Sequence, residues 1–393
     1  MPVACVDRPP PVNTYPTGWR RPALRFRPTA RALGWLAALL ALAACGGGSG
    51  GAVTAINPPA VSALHAADLA VLIAEGDATS EAIGLAYQQA HGIPEANMVR
   101  VPVAVRSDAI DAAAFTALKA AIDTRLPATV QATVVTWTQP SRVSGVSGVS
   151  GSCAMGLSSA LALGYEARYC GGCVATAASP YYDSESTQPW TDLRIRPSMM
   201  LGAATLAEAQ ALIARGVAAE GSMRRGTATA NAWLVRTSDA ARSRRYDDFE
   251  TLAASTVPGV TMHYVDNSSG SGSDVVANQR NLLFYFTGLA AVPQIASNSY
   301  LPGAVADHLT SYGGVLPDAL GQMPATDWLR AGATGSYGTV EEPCSYVQKF
   351  PRASVLVKHY QRGETLIEAY WKSVQWPGQG LFLGDPLARP WAP

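Results

Sequence analysis

Three side chains near the carboxyl terminus have the chemistry of a nucleophile and its base: His308 and Ser311 in "GAVADHLTSYGG", and Cys344 in "GATGSYGTVEEPCSY". A thiol or hydroxyl attacks well only when a neighbouring imidazole takes its proton, so the pairs to weigh are His308 with Cys344 and His308 with Ser311. Either pair would make the chain a hydrolase of peptide or related bonds. The local pattern favours neither. Ser311 lies three residues after His308, and on a strand that spacing sends the two side chains to opposite faces. "LTSYGG" and "TGSYGT" both lack the first glycine of GxSxG, the turn that lifts a serine above a sheet. Cys344 has a competing use. With a leader removed and Cys45 set aside, Cys153, Cys170, Cys173 and Cys344 form an even set that can close two disulfides in three connectivities. "YCGGC" has the spacing of a redox motif but does not join a strand to a helix, so a structural staple is the expectation.

If chemistry occurs, His308 is the acid–base candidate, because an imidazole titrates nearest to neutrality. The ligand cleft expected around it is lined by Thr287, Gly288 and Ser311, and by a turn that holds Gly335, Ser336 and Gly338. Carboxyl ends of parallel strands collect ligands, and glycines there let a ligand reach the backbone. Arg142, Arg196, Arg236, Asp239, Arg242, Glu341, Glu342 and Asp385 are the other polar candidates, and several of them lie just after predicted strands. Each is read first as loop polarity, with the arginines on loop carbonyls, Asp239 near a helix start and Asp385 closing an Asp-Pro turn. The five histidines, His65, His91, His263, His308 and His359, are scattered and show no metal-ligand spacing. "DNSSGSGSD" lacks the spacing of a calcium loop. No metal and no cofactor are expected.

These side chains need a scaffold. At 393 residues and 48% hydrophobic composition the chain can bury a large core, and with 15% charged residues and zero net charge it offers nucleic acid no basic field. "DLAVLIAEGD" is a continuous apolar run suited to a strand buried on both faces. In the helix that follows, Ile83, Ala86, Tyr87 and Ala90 share a face, with Gly92 suited to end it. "MVRVPVAV" is a second strand. Asp111 caps a helix whose Phe115, Leu118 and Ile122 share a face, and "VQATVVTW" is a third strand. That βαβαβ order predicts parallel pairing. Residues 138–200 break the rhythm and are read as an irregular, disulfide-stapled insertion. Alternation resumes with a helix over "TLAEAQALIARG", with Thr205 and Glu208 at capping-box spacing and Gly216 as its stop. "NAWLVRTSD" is a strand leading to a helix from about Ser238. "GVTMHYVD" and "NLLFYFTG" are strands, "GETLIEAYWKSV" a last helix and "GLFLGDPLARP" a last strand. The predicted fold class is α/β, a mostly parallel sheet flanked by helices.

The amino-terminal stretch "WRRPALRFRPTARALGWLAALLALAACGGGSGG" joins an arginine-rich region to about a dozen apolar residues and then to Leu42, Ala43, Ala44 and Cys45. The apolar run is too short to span a bilayer and has the order of a secretory signal. It resembles a bacterial lipoprotein signal, in which cleavage precedes the cysteine and that cysteine is acylated. The resemblance implies a signal peptide over 1–44, a lipid anchor at Cys45, a Gly/Ser linker over 45–65 and one α/β domain over 66–393. Gly46, where an aspartate would retain the protein at the inner membrane, implies the outer membrane. The expected location is the bacterial cell envelope.

"RIRPSMMLGAATLAEAQALIARGV", "LVRTSDAAR", "GAVADHLTSYGG", "GATGSYGTVEEP" and "GETLIEAYWKSVQWPGQGLFLGDPLARP" together resemble a family of bacterial exported proteins without assigned activity, over most of 68–393. The closing pattern of a Gly-Ala strand, a helix containing "EA" and "LGDP" is similar to that of gingipain-type cysteine peptidases, which implies a caspase-like fold. That likeness puts the peptidase histidine near Thr287 and Gly288 and the peptidase cysteine near Ser311, and neither residue type stands there. The expectation is a binding or accessory protein of the envelope with a protein or peptide ligand. The alternative is a hydrolase using His308 with Ser311 or Cys344. No motif specifies an oligomeric state.

Overall fold

The apolar run Leu69–Ala74 forms β1 with every side chain buried, as a strand covered on both faces requires. The computed structural model describes residues 63–105, 107–144, 153–226 and 229–393. Cys45, the proposed leader and the Gly/Ser repeat around 145–152 lie outside the described residues. After β1 come α1 (Ala78–His91), β2 (Met98–Val101), β3 (Ala109–Asp111), α2 (Ala112–Arg125) and β4 (Ala132–Val135). Asp77 caps α1 by accepting from the Ser80 amide at 2.7 Å, and Gly92 closes it in the left-handed conformation at φ 68°. Asp111 caps α2 by accepting from the Ala114 amide.

β5 (Arg142–Ser144), β6 (Ala154–Gly156), α3 (Leu157–Leu163) and α4 (Pro189–Leu193) lead to β7 (Ser198–Met200). The second half runs α5 (Leu206–Ala219), α6 (Ser222–Arg225), β8 (Ala230–Arg236), α7 (Tyr246–Ala253), β9 (Val260–Asp266), β10 (Leu282–Thr287) and β11 (Tyr300–His308). It closes with α8 (Thr326–Ala331), β12 (Gly335–Thr339), α9 (Ala353–Gln361), α10 (Leu366–Ser373) and β13 (Gly380–Gly384). Ten strands form one sheet in the order β2-β1-β4-β7-β13-β12-β11-β10-β8-β9, and β3, β5 and β6 form a small second sheet.

The strand order contains a doubling. The set β2-β1-β4-β7 repeats, in chain order, the pattern of β9-β8-β10-β11, and the ladders inside each set are parallel. Each set is a half of doubly wound type, with a switch point where the chain reverses its direction across the sheet: between β1 and β4, and between β8 and β10. β12 extends the second set, and β13 joins the halves, pairing antiparallel with β12 and meeting β7 at Leu383 and Met200.

The structure corrects several sequence readings. Residues 138–200 are not wholly an insertion, because Ser198–Met200 supplies β7 to the main sheet. Gly216 does not stop α5, which runs on to Ala219. Its missing side chain serves packing instead, since a Cβ there would lie 1.9 Å from Asp385 Oδ2. The helix after β8 begins at Tyr246 rather than Ser238, after a turn over 238–245.

The staple has a definite form. Cys153 bonds to Cys170 and Cys173 to Cys344, so the two cysteines of "CGGC" hold different partners. The first bridge is internal to the segment before β7, and the second ties it to the loop after β12. The buried Lys349 reinforces this tie by donating from Nζ to the Gly172 carbonyl. Desolvation lowers its ammonium to about 8, with Glu341 and Glu342 resisting the shift.

Candidate functional site

His308 ends β11 beside Thr287 of β10 and is 1% exposed. Its Nδ1 accepts a hydrogen bond from Trp328 Nε1 at 3.0 Å, which requires that nitrogen to be unprotonated. Burial, helped by the Arg245 charge, drives the imidazole down to about 3. Nε2 makes no hydrogen bond of good geometry, and the opposing pull of the Met323 backbone does not offset burial. The ring is therefore neutral at physiological pH, with its acceptor nitrogen already used.

Ser311 does not pair with it. Ser311 Oγ donates to Glu342 Oε2 at 2.6 Å, and the Glu342 Oε1 accepts from the Cys344 amide at 2.8 Å. Cys344 Sγ is covalently bound to Cys173. The serine and the cysteine thus converge on Glu342, not on His308, and the thiol is absent. A carboxylate holds a serine hydroxyl in place without making it an alkoxide.

The cleft expected among these residues is filled by the protein itself. Gly335, Ser336 and Gly338 do not form a turn; they belong to β12, whose residues are all buried. The glycines admit neighbouring chain: a Cβ on Gly338 would lie 2.4 Å from the Gly313 carbonyl carbon, and one on Gly335 would lie 2.7 Å from Leu366 Cδ2. A Cβ on Gly288 would lie 2.0 Å from the Arg242 carbonyl oxygen. Thr287 is 1% exposed. Close strand packing and backbone approach both ask for glycine, and only a free backbone edge would mean a ligand.

Both switch points are occupied in the same way. Between β1 and β4, the hydroxyls of Ser80 and Thr136 lie 2.6 Å apart, and Ser80 Oγ accepts from the Ala74 amide. Between β8 and β10, Thr237 Oγ1 donates to the Gly288 carbonyl, and the turn over 238–245 fills the crevice. At the end of that turn stands Arg245, 4% exposed. Its guanidinium meets Asp307 at 2.6 Å and donates to the carbonyls of Thr287 and Pro351. Burial pushes the Asp307 carboxyl up, while Arg245 pulls it down.

Beyond Arg245 the molecule opens into a cavity of about 240 Å³. Its walls come from the start of α7, from the segment before α9, from the end of α10 and from Tyr182. No family model, curated protein or solved structure matches the chain. The cavity must therefore be read from its own chemistry. Arg352 is neutralised by Asp248, Nε to Oδ1 at 3.0 Å, whereas Arg244 and Asp247 make no ion pair among the described residues. Arg245 Nε is buried without a hydrogen-bond partner, and Phe350 supplies an apolar wall. A lining with one free cation, one free anion, an apolar wall and the amides of Gln348 and Gln375 suits a ligand that carries charge and amide groups together. Sequence reading missed this site because its walls are far apart along the chain; the charge run "RSRRYDD" was the one local signal.

The other polar candidates disperse. Arg142 pairs with Asp108, Arg236 with Asp266, and Asp239 with Arg242. Arg196 lies over the ring of Trp190, and the Glu341 carboxylate accepts from the Ala154 amide. Among the described residues, no group of three metal-ligating side chains is assembled, and no helix is long and apolar enough to cross a membrane.

Asp385 closes the Asp-Pro turn, accepting from the Leu387 amide at 3.1 Å, and is buried as well. It accepts from Tyr87 at 3.0 Å and lies 2.8 Å from His91 Nε2. Burial is the largest influence on His91 and lowers its proton affinity, but the charge and hydrogen bond of Asp385, with Glu220, leave it raised. A histidine whose folded pKa exceeds its unfolded value contributes stability below the unfolded pKa and loses it as pH rises through the folded value. The melting temperature should therefore fall as pH rises through that window above about 6.5, and His91→Gln should flatten this part of the profile. An unchanged slope in the variant would remove His91 as its cause.

Proposed function

We propose that the chain is an exported lipoprotein, anchored through Cys45 in the bacterial outer membrane, whose α/β domain binds a short peptide segment and does not cut it. The observation that carries this reading is the bond from Cys173 to the Cys344 sulfur, which removes the one thiol near the carboxyl ends of β11 and β12. The neutral, engaged His308 leaves Ser311 without a base. Export is supported by the leader and by two disulfides, which persist in oxidising compartments. In this reading the sheet is of caspase-like kind and lacks the peptidase dyad.

The ligand's carboxylate meets Arg244 and the Nε of Arg245, and its amides meet Gln348 and Gln375. Calorimetric titration with trialanine tests this. Saturable binding is expected, weaker for the carboxyl-terminal amide of trialanine and about tenfold weaker in Arg244→Ala, the loss of one charge-assisted hydrogen bond. Absence of saturable binding, or equal binding by Arg244→Ala, would contradict the assignment.

A further inference from the structure

A second cavity lies among α2, α3 and α4. It has a volume of about 240 Å³. Its body is apolar: Leu72 of β1 forms the floor, with Ile122 of α2 and Leu126 just after it on one side and Leu161 and Leu163 of α3 on the other. The strand register explains the floor. Ala70 pairs with Thr133 and Leu72 with Val135, so Leu72 and Thr133 face the same way at alternating positions.

Thr133 is the unexplained part. It is 3% exposed and lines this cavity, and its Oγ1 has no hydrogen-bond partner. A buried hydroxyl left unpaired costs about 1–3 kcal/mol, so such groups are normally satisfied by protein, water or a ligand.

The remaining wall is aromatic and cationic. The Arg196 guanidinium lies 3.5 Å from the centre of the Trp190 ring, and that of Arg194 lies 5.6 Å from it. Arg196 donates from Nε to the Val130 carbonyl, and among the described residues neither arginine forms an ion pair. The nearby carboxylate, Asp123, is held by Lys119. Burial lowers the proton affinity of Arg196, Asp123 opposes that shift and the neighbouring Arg194 charge adds to it. Two guanidinium groups, an indole ring, the paired Lys119 and Asp123, an apolar body and a lone hydroxyl thus line one cavity.

We propose that this cavity is a second binding site, for a small aryl carboxylate that carries a hydroxyl at the far end of its ring. The carboxylate sits on Arg194 and Arg196 beside Trp190, the ring fills the space between α2 and α3, and the hydroxyl bonds to Thr133 Oγ1. At the roughly 30 Å³ that a water occupies in the liquid, the volume holds about eight non-hydrogen atoms. That matches a hydroxyphenylmethyl body with its carboxylate at the rim.

The probe is 4-hydroxyphenylacetate, titrated calorimetrically into the full exported chain in the presence of excess trialanine, so that the first cavity is not what is measured. Saturable binding of one equivalent is expected. Phenylacetate, which lacks the hydroxyl, and 4-methylphenol, which lacks the carboxylate, should each bind about tenfold more weakly or worse. Arg194→Gln, an exposed position whose change leaves the core alone, should weaken 4-hydroxyphenylacetate about tenfold. Thr133→Val should weaken it too, while leaving phenylacetate unchanged, a pattern that a merely structural role would not produce. No saturable binding, equal binding of phenylacetate, or binding insensitive to Arg194→Gln would overturn the proposal.

Discussion

Asp307→Ala should cost about 3–5 kcal/mol of folding stability, because it leaves a buried guanidinium without its counter-charge. Asp307 and Arg245 are 1% and 3% exposed at the side chain and meet at 2.6 Å. Arg245 also holds the Thr287 and Pro351 carbonyls, so it cannot swing out to water without breaking the link between the end of β10 and the segment that leads to α9. The double variant Arg245→Met, Asp307→Leu should recover much of the loss, since both charges then disappear and the space stays filled. Full recovery is not expected, because the two carbonyls lose a donor. Denaturant unfolding of the two variants measures the comparison. A single variant as stable as the parent would mean that the pair does not organise this region.

Removing the Cys173–Cys344 bridge should be more damaging than removing Cys153–Cys170. In the chain-entropy account a disulfide stabilises by restricting the unfolded chain, more so for a longer loop. The two bridges close sequence separations of 171 and 17 residues, which on that scale correspond to about 5 and about 3 kcal/mol. Chemical denaturation of Cys173→Ser/Cys344→Ser and Cys153→Ser/Cys170→Ser gives the ranking directly. The reverse order would show that local packing of the buried Cys153–Cys170 pair outweighs loop length.

The parts of the fold legible in the sequence are those written in local patterns. β1 is a continuous apolar run, α2 has Phe115, Leu118 and Ile122 on one buried face, and Asp111 and Thr205 stand where a helix needs a cap. β7 escaped because Ser198–Met200 is too short to show a period, and its place in the sheet comes only from pairing with β4. The meeting of the two halves at β13 is likewise a tertiary fact, with no local signal for an antiparallel partner. The glycines around Ser336 misled for a physical reason: a Gly-rich strand against Gly313 and Leu366 and a Gly-rich ligand turn have the same composition. For the site, sequence parity pointed to Cys344 as a disulfide cysteine, and the bridge to Cys173 is present. Trp328, which holds His308, became visible only when the chain was folded, and Glu342, already among the polar candidates, showed its bond to Ser311 only then.

The central claim is that the edge formed by His308, Ser311 and Cys344 does no covalent chemistry. Its most direct test is prolonged incubation of the folded parent with a defined mixture of peptide and ester substrates, followed by mass spectrometry against a protein-free blank. The account predicts intact substrates at every time point. Turnover by the parent that disappears in Ser311→Ala, with that variant still folded, would contradict it and make Ser311 a nucleophile served by Glu342.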